Sequence, residues 1–195
     1  NKEFLAPKTI HWHIYTIADG DTPRYSMFPE DILELYVEDE VLKFAWKTGL
    51  QGVSVDDATE AAVNLYMPLQ NMEHIEVGQI RGVVEIINET PSENPLIISI
   101  KNIGGVDHKL FVRSPASPVN FQGDGIGSEH YFELKSGSEI EIDGVDQKVW
   151  VKTTDNLQMK VRGINTQVYL DGDYTEIKMS GVDSNVFIVN SDAGC

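Results

Sequence analysis

The chain of 195 residues contains one cysteine, Cys195, at its last position. A single cysteine can form no intrachain disulfide and no Cys-based zinc site, so a disulfide-stapled scaffold is excluded. Basic residues are also scarce. Lys and Arg number 15 against 31 Asp and Glu, a formal net charge of −16. A nucleic-acid backbone is bound through a concentrated Lys/Arg face, which releases counterions. No run of Lys/Arg occurs here, so a general nucleic-acid binder is excluded. An anionic membrane surface is disfavoured for the same reason. No apolar stretch approaches the roughly 20 residues that span a bilayer, and no charged-then-apolar leader is present. Neither a G-x-S-x-G elbow nor an H-E-x-x-H helix motif appears. From these absences we expect no catalytic residues, no cofactor, no metal, no nucleic acid and no membrane.

Hydrophobic residues make up 41% of the chain, enough for a packed core. They fall mostly at period two. Trp12, Ile14 and Thr16 alternate with His11, His13 and Tyr15 before an Asp19-Gly20-Asp21 turn. Leu33–Val37 and Leu42–Trp46 flank Glu38-Asp39-Glu40 and read as neighbouring strands. A helix from Pro29 to Glu40 is the rival reading. An Asp56-Asp57 turn, with a helix capped by Asp56 as its rival, leads into a strand over Ala61–Met67. Ile80–Ile87 and Leu96–Ile100 follow. From Gly104 onward short strands come quickly: Lys109–Arg113, Val119–Phe121, Tyr131–Leu134, Glu139–Ile142, Lys148–Lys152, Leu157–Val161, Gln167–Leu170, Tyr174–Met179 and Asn185–Val189. Many short strands between Gly, Asp, Asn and Ser turns predict an all-β chain of two β-sandwich domains, Ig-like or jelly-roll-like, with antiparallel strands. The halves are 1–103 and 104–195, with net charges of −10 and −6.

One segment recurs. Gly105-Val106-Asp107-His108-Lys109-Leu110-Phe111-Val112 returns as Gly144-Val145-Asp146-Gln147-Lys148-Val149-Trp150-Val151, and more weakly from Gly181. Each copy is a Gly-x-Asp turn feeding a strand with a central aromatic. Such a period can mark a repeat architecture. The residues between the copies match poorly, so we read one turn type reused among sandwich strands.

Several residues carry possible chemistry. His11 and His13 share a strand face at a spacing that can hold one metal, but no third ligand is near in sequence, and two edge-strand polar residues are the simpler reading. His74, His108 and His130 complete the histidines. Asp19-Gly20-Asp21 and Asp171-Gly172-Asp173 look like calcium-loop fragments but lack the remaining ligands of such a loop. Gly123-Asp124-Gly125-Ile126-Gly127 has the wrong spacing for a phosphate loop and reads as a flexible inter-strand loop. Asn88-Glu89-Thr90 fits a glycosylation sequon by chance. Trp12, Trp46 and Trp150 are expected in the core. Tyr15, Tyr25, Tyr131 and Tyr174 are expected at the surface.

The second half resembles small β-domains of tailed-bacteriophage virion proteins. Leu110–Val119 looks like their strand-then-loop opening, and Phe132–Ile142 like their L-x-x-G-x-x-I-x-I hairpin. Val149–Thr153 with Leu157–Gly163 looks like the closing pair. The first half is similar, more loosely, to Ig-like domains of phage baseplate and fibre-attachment proteins, through Leu42–Trp46, Asp56-Asp57, Val63–Leu65 and Val77–Val83. The resemblance implies a non-enzymatic virion structural protein, assembled in the host cytoplasm. Its role would be capsid decoration or cement, with a baseplate or tail adaptor as the alternative. Its partners would be other virion proteins and further copies of itself, as a homo-oligomer. A carbohydrate-binding adhesin module is the reading from a different class.

Overall fold

The computed structural model describes residues 9–28, 33–39, 41–46, 60–68, 74–77, 82–103, 109–153, 156–172 and 176–189. Its strands are β1 (Thr9–Ile17), β2 (Arg24–Phe28), β3 (Leu33–Glu38), β4 (Val41–Trp46), β5 (Glu60–Pro68), β6 (His74–Val77), β7 (Gly82–Ile87) and β8 (Leu96–Ile103). The series continues with β9 (Lys109–Ser114), β10 (Val119–Ile126), β11 (Glu129–Leu134), β12 (Glu139–Val145), β13 (Lys148–Thr153), β14 (Gln158–Ile164), β15 (Gln167–Asp171), β16 (Glu176–Val182) and β17 (Asn185–Val189). Most strands stand where the alternation predicts them, while β2 and β6 were not foreseen; β3–β4 is an antiparallel pair of the expected neighbours, turning through Asp39 at φ 52°. Leu33–Glu38 is a strand, so the rival helix is not what these residues form. The Asp56 turn and its rival helix lie outside the described residues.

The way these strands connect overturns the two sandwiches. Odd-numbered strands from β7 to β17 pair in parallel with each other, and even-numbered strands from β6 to β16 do the same. The chain therefore winds as a parallel β-solenoid, each coil giving one strand to each of two facing sheets. One sheet has nine strands in the order β17-β15-β13-β11-β9-β7-β1-β5-β2, and the other has six, β16-β14-β12-β10-β8-β6. In these two sheets, among the described residues, only β2 at the far edge of the larger one runs antiparallel to its neighbour, β5.

The corner between the sheets shows why the sequence winds this way. Gly125-Ile126-Gly127-Ser128, Gly144-Val145-Asp146-Gln147, Gly163-Ile164-Asn165-Thr166 and Gly181-Val182-Asp183-Ser184 recur every 18 or 19 residues. The third residue of each has positive φ: Gly127 69°, Asp146 55°, Asn165 54° and Asp183 55°. Gly, Asn and Asp are the residues that tolerate this left-handed backbone. Its N–H bonds the coil beyond, as Asp146 N donates to Ile164 O at 2.9 Å and Asn165 N to Val182 O at 2.8 Å. The first glycine of each motif lies in register with that of the next coil. A Cβ on Gly144 would fall far inside contact distance of the Gly125 carbonyl oxygen, and one on Gly163 or Gly181 would meet the preceding glycine in the same way. The copies spaced 39 and 37 residues apart were thus every second coil. The copies between them replace Asp with Gly127 and Asn165, which serve the same backbone geometry.

Side chains pointing inward stack in columns between the sheets. Ile86, Val112, Phe132, Val151 and Leu170 form one column of the larger sheet and are all buried. Ile98, Phe121, Ile140 and Met159 face them from the smaller sheet. At the opposite corner buried polar groups satisfy one another. Asn88 donates to Ser114 Oγ and Ser117 Oγ and accepts from Thr16 Oγ1 at 2.8 Å. This fully buried amide is a corner brace rather than an exposed sequon. Hydrogen bonding is continuous from β7 to β9 and from β8 to β10.

The corner geometry sets a stability test. Gly144→Ala forces a Cβ into the neighbouring backbone and is expected to cost roughly 2–4 kcal/mol. Gly137→Ala, at φ 84° with nothing within 4 Å of the added carbon, is expected to cost about 1 kcal/mol. Urea unfolding of both variants checks this; equal losses would contradict the stacked corner.

Candidate functional site

The outer face of the nine-stranded sheet carries one aromatic residue per coil. Phe111, Tyr131, Trp150, Tyr169 and Phe187 occupy the same register position in β9, β11, β13, β15 and β17. Their rings stack face to face, with centroids 4.6, 4.6, 5.4 and 5.1 Å apart and planes within 16° of parallel. The spacing follows the inter-strand distance of about 4.8 Å, so each ring covers the next. Each such pair contributes about 0.5–1.5 kcal/mol beyond its burial. Tyr131 donates to Glu129 and Tyr169 to Gln167, both at 3.0 Å. Burial, together with the Glu129 carboxylate, raises the Tyr131 pKa above its ordinary value.

In the neighbouring coils the column continues with Glu85 and then His13. His13 Nδ1 lies 2.7 Å from Glu85 Oε2. Tyr15 stacks on Tyr66 at 5.0 Å, and the Arg24 guanidinium sits 4.6 Å from the Tyr66 ring centre. Burial first, and then the Glu85 charge, raises the Tyr15 pKa.

Two residues further along each strand runs a second outward column: Ile87, Arg113, Glu133, Lys152, Asp171 and Val189. Its charges alternate in sign. Arg113 bonds Glu89 and Glu133, both at 3.3 Å. Between the two columns lies a groove of about 490 Å³, floored by the backbone of Ile86, Val112, Phe132, Val151 and Leu170, whose side chains point into the core. The other sheet presents a different surface. There Glu141 bridges Lys160 and Arg162, and Arg162 also reaches Asp143 at 3.5 Å. The Lys160 hydrogen bond leads the effects that hold the Glu141 carboxyl below its ordinary value. These pairs are solvated and each contributes about 0–1 kcal/mol.

The structure redistributes the residues singled out in the sequence. Trp150 is not in the core but in the outer ladder beside Tyr131, while Trp12 lies in the inward register. The side chain of Trp46 lies outside the described residues, as do His108, Asp173, Tyr174 and Cys195. Tyr25 is exposed on β2. β1, which carries His11 and His13, is not an edge strand but lies between β5 and β7. Among the described residues no three His, Cys, Asp or Glu side chains converge as metal ligands. Asp19-Gly20-Asp21 forms the turn after β1, with Asp21 N bonded to Ala18 O at 3.1 Å. Gly172 turns the chain at φ 117° against the Thr153 carbonyl. Gly123–Ile126 is not a flexible loop but the end of β10, and Gly127 is the left-handed corner residue. Comparison with protein-family models, curated proteins and solved structures finds no match.

Sequence reasoning passed over His130. It is fully buried in the inward column between Leu110 and Val149, beside the rings of Phe121 and Phe132. Neither ring nitrogen has a hydrogen-bond partner. Burial lowers its pKa from 6.5 to about 4. The folded state therefore keeps the ring neutral while the unfolded chain takes up a proton below pH 6.5. Stability is full above that pH, erodes by up to about 3 kcal/mol as pH falls to about 4, and then levels off for this group. His130→Leu is expected to flatten this part of the pH profile in chemical denaturation. An unchanged slope between pH 6.5 and 4 would assign it to other groups.

Proposed function

We propose that the protein is a non-enzymatic structural protein that works by assembling with copies of itself and with neighbouring protein subunits. The observation that carries this reading is the last coil among the described residues. Ile188 continues the inward column of Val112, Phe132, Val151 and Leu170, yet it is 50% exposed where Leu170 is fully buried. Phe187 and Val189 on either side of it are similarly open. β17 ends the larger sheet and contains no charged residue, within a chain of net charge −16. β16 ends the smaller sheet with one Glu and one Lys, which pair at 2.9 Å. Edge strands that stay single carry charges, proline or a bulge. A neutral, apolar edge over an open core is built to be covered, by backbone pairing and by continuation of the stacked columns. Concentrating neutrality at this end lets highly acidic copies approach without strong repulsion.

A virion setting, as capsid decoration or a tail adaptor, belongs to the same proposal. Its support is the resemblance of residues 108–164 and, more loosely, of the first half. The fold no longer adds to it, because Phe132–Ile142 is not a hairpin but two strands lying in different sheets.

The test is mass in solution. The wild-type chain is expected to sediment as an oligomer of its 21.8 kDa unit, and Ile188→Lys to fall to the monomer with an unchanged circular dichroism spectrum. A wild-type chain that stays monomeric at high concentration would remove the reading.

A further inference from the structure

The geometry points to the groove on the outer face of the nine-stranded sheet as a binding site for an extended neutral glycan, with about one sugar to each coil. The groove runs along the solenoid axis, crossing the strands from the coil of Glu85 to that of Asp171. The backbone groups of these inner strands are already bonded to their neighbours, so a ligand lying there cannot add as a strand. What the groove offers instead repeats once per coil, about every 4.8 Å. An extended peptide advances about 3.3 Å per residue and alternates its side chains, so it falls out of step within two coils. A pyranose in an extended glycan advances by close to one coil height and keeps its place.

The two walls have the matching chemistry. Because the aromatic rings are stacked on one another, their faces are taken and their edges line the groove. Ring edges carry partial positive charge and attract oxygen lone pairs. The opposite wall presents Arg113, Glu133, Lys152 and Asp171 in turn, a donor and an acceptor alternating from coil to coil. Hydroxyl groups serve both, since each donates one hydrogen bond and accepts others. The floor between the walls is strand backbone, since Ile86, Val112, Phe132, Val151 and Leu170 turn their side chains inward. The four charges of that wall sum to zero, and Glu85 adds one negative charge at the end of the groove. With the whole chain at −16, an acidic polysaccharide is repelled while a neutral one is not.

The experiment is a calorimetric or NMR titration of the full chain with cello-, xylo- and chito-oligosaccharides of two to six sugars. Oligogalacturonate and a charged-neutral peptide of similar length serve as comparators. The expected result is saturable binding by at least one neutral series that strengthens with each added sugar up to about five, the number of coils the groove crosses. Lys152→Ala and Glu133→Gln, both at the groove and away from the core, are expected to weaken it about tenfold each. Lys160→Ala, on the opposite sheet, is expected to leave it unchanged. Absence of saturable binding by every neutral series, tighter binding of oligogalacturonate or of the peptide, or binding indifferent to both groove variants would overturn the assignment.

Discussion

The close approach of backbone to backbone at one corner of each coil governs this structure. Gly125, Gly144, Gly163 and Gly181 lie on top of one another, the last three with no room for a Cβ, and two residues after each the chain turns through a left-handed residue. This pair of requirements fixes the height and the register of every coil from β10 onward. A slip by one residue would place a side-chain-bearing residue against a carbonyl oxygen and a bulky residue in the left-handed position. It would also turn each inward column outward, because strand side chains alternate with period two.

Once register is fixed, alternation along each strand becomes a set of columns along the solenoid. Inward columns give the apolar core, with His130 the titratable exception. Outward columns differ between the faces. On the smaller sheet they hold solvated ion pairs such as Glu141 with Lys160 and Arg162. On the larger sheet they hold the aromatic ladder and the alternating charges that flank the groove. A solenoid buries each coil only against its neighbours, so its ends meet a different environment from its middle. Ile188 shows the consequence at the β17 end.

Much of the secondary structure was legible from residue types. The β-branched and aromatic alternation in Lys148–Lys152 or Gln167–Leu170 marks a strand whatever it pairs with. Pairing was not legible for the same reason: alternation is identical in a parallel coil and an antiparallel hairpin. The two-residue link Gly127-Ser128 joins β10 to β11, and links this short usually join antiparallel neighbours. Here the link instead carries the chain from one sheet to the other. The repeat was in view at twice its true length, because Asp107, Asp146 and Asp183 match as letters while Gly127 and Asn165 match only as backbone conformations. Grouping Gly, Asn and Asp by their tolerance of positive φ, and noting an aromatic at 111, 131, 150, 169 and 187, is the signal that reveals the coil.

The sequence by itself determined the all-β character, most of the strand positions and the acidic charge. These follow from interactions within a few residues and from composition. Which strands become neighbours was decided only in the tertiary structure. Tyr131 and Trp150 are 19 residues apart and carry no local sign of stacking; their rings meet because hydrogen bonds between β11 and β13 set them in register. The ladder, the groove beside it and the open last coil all depend on that register.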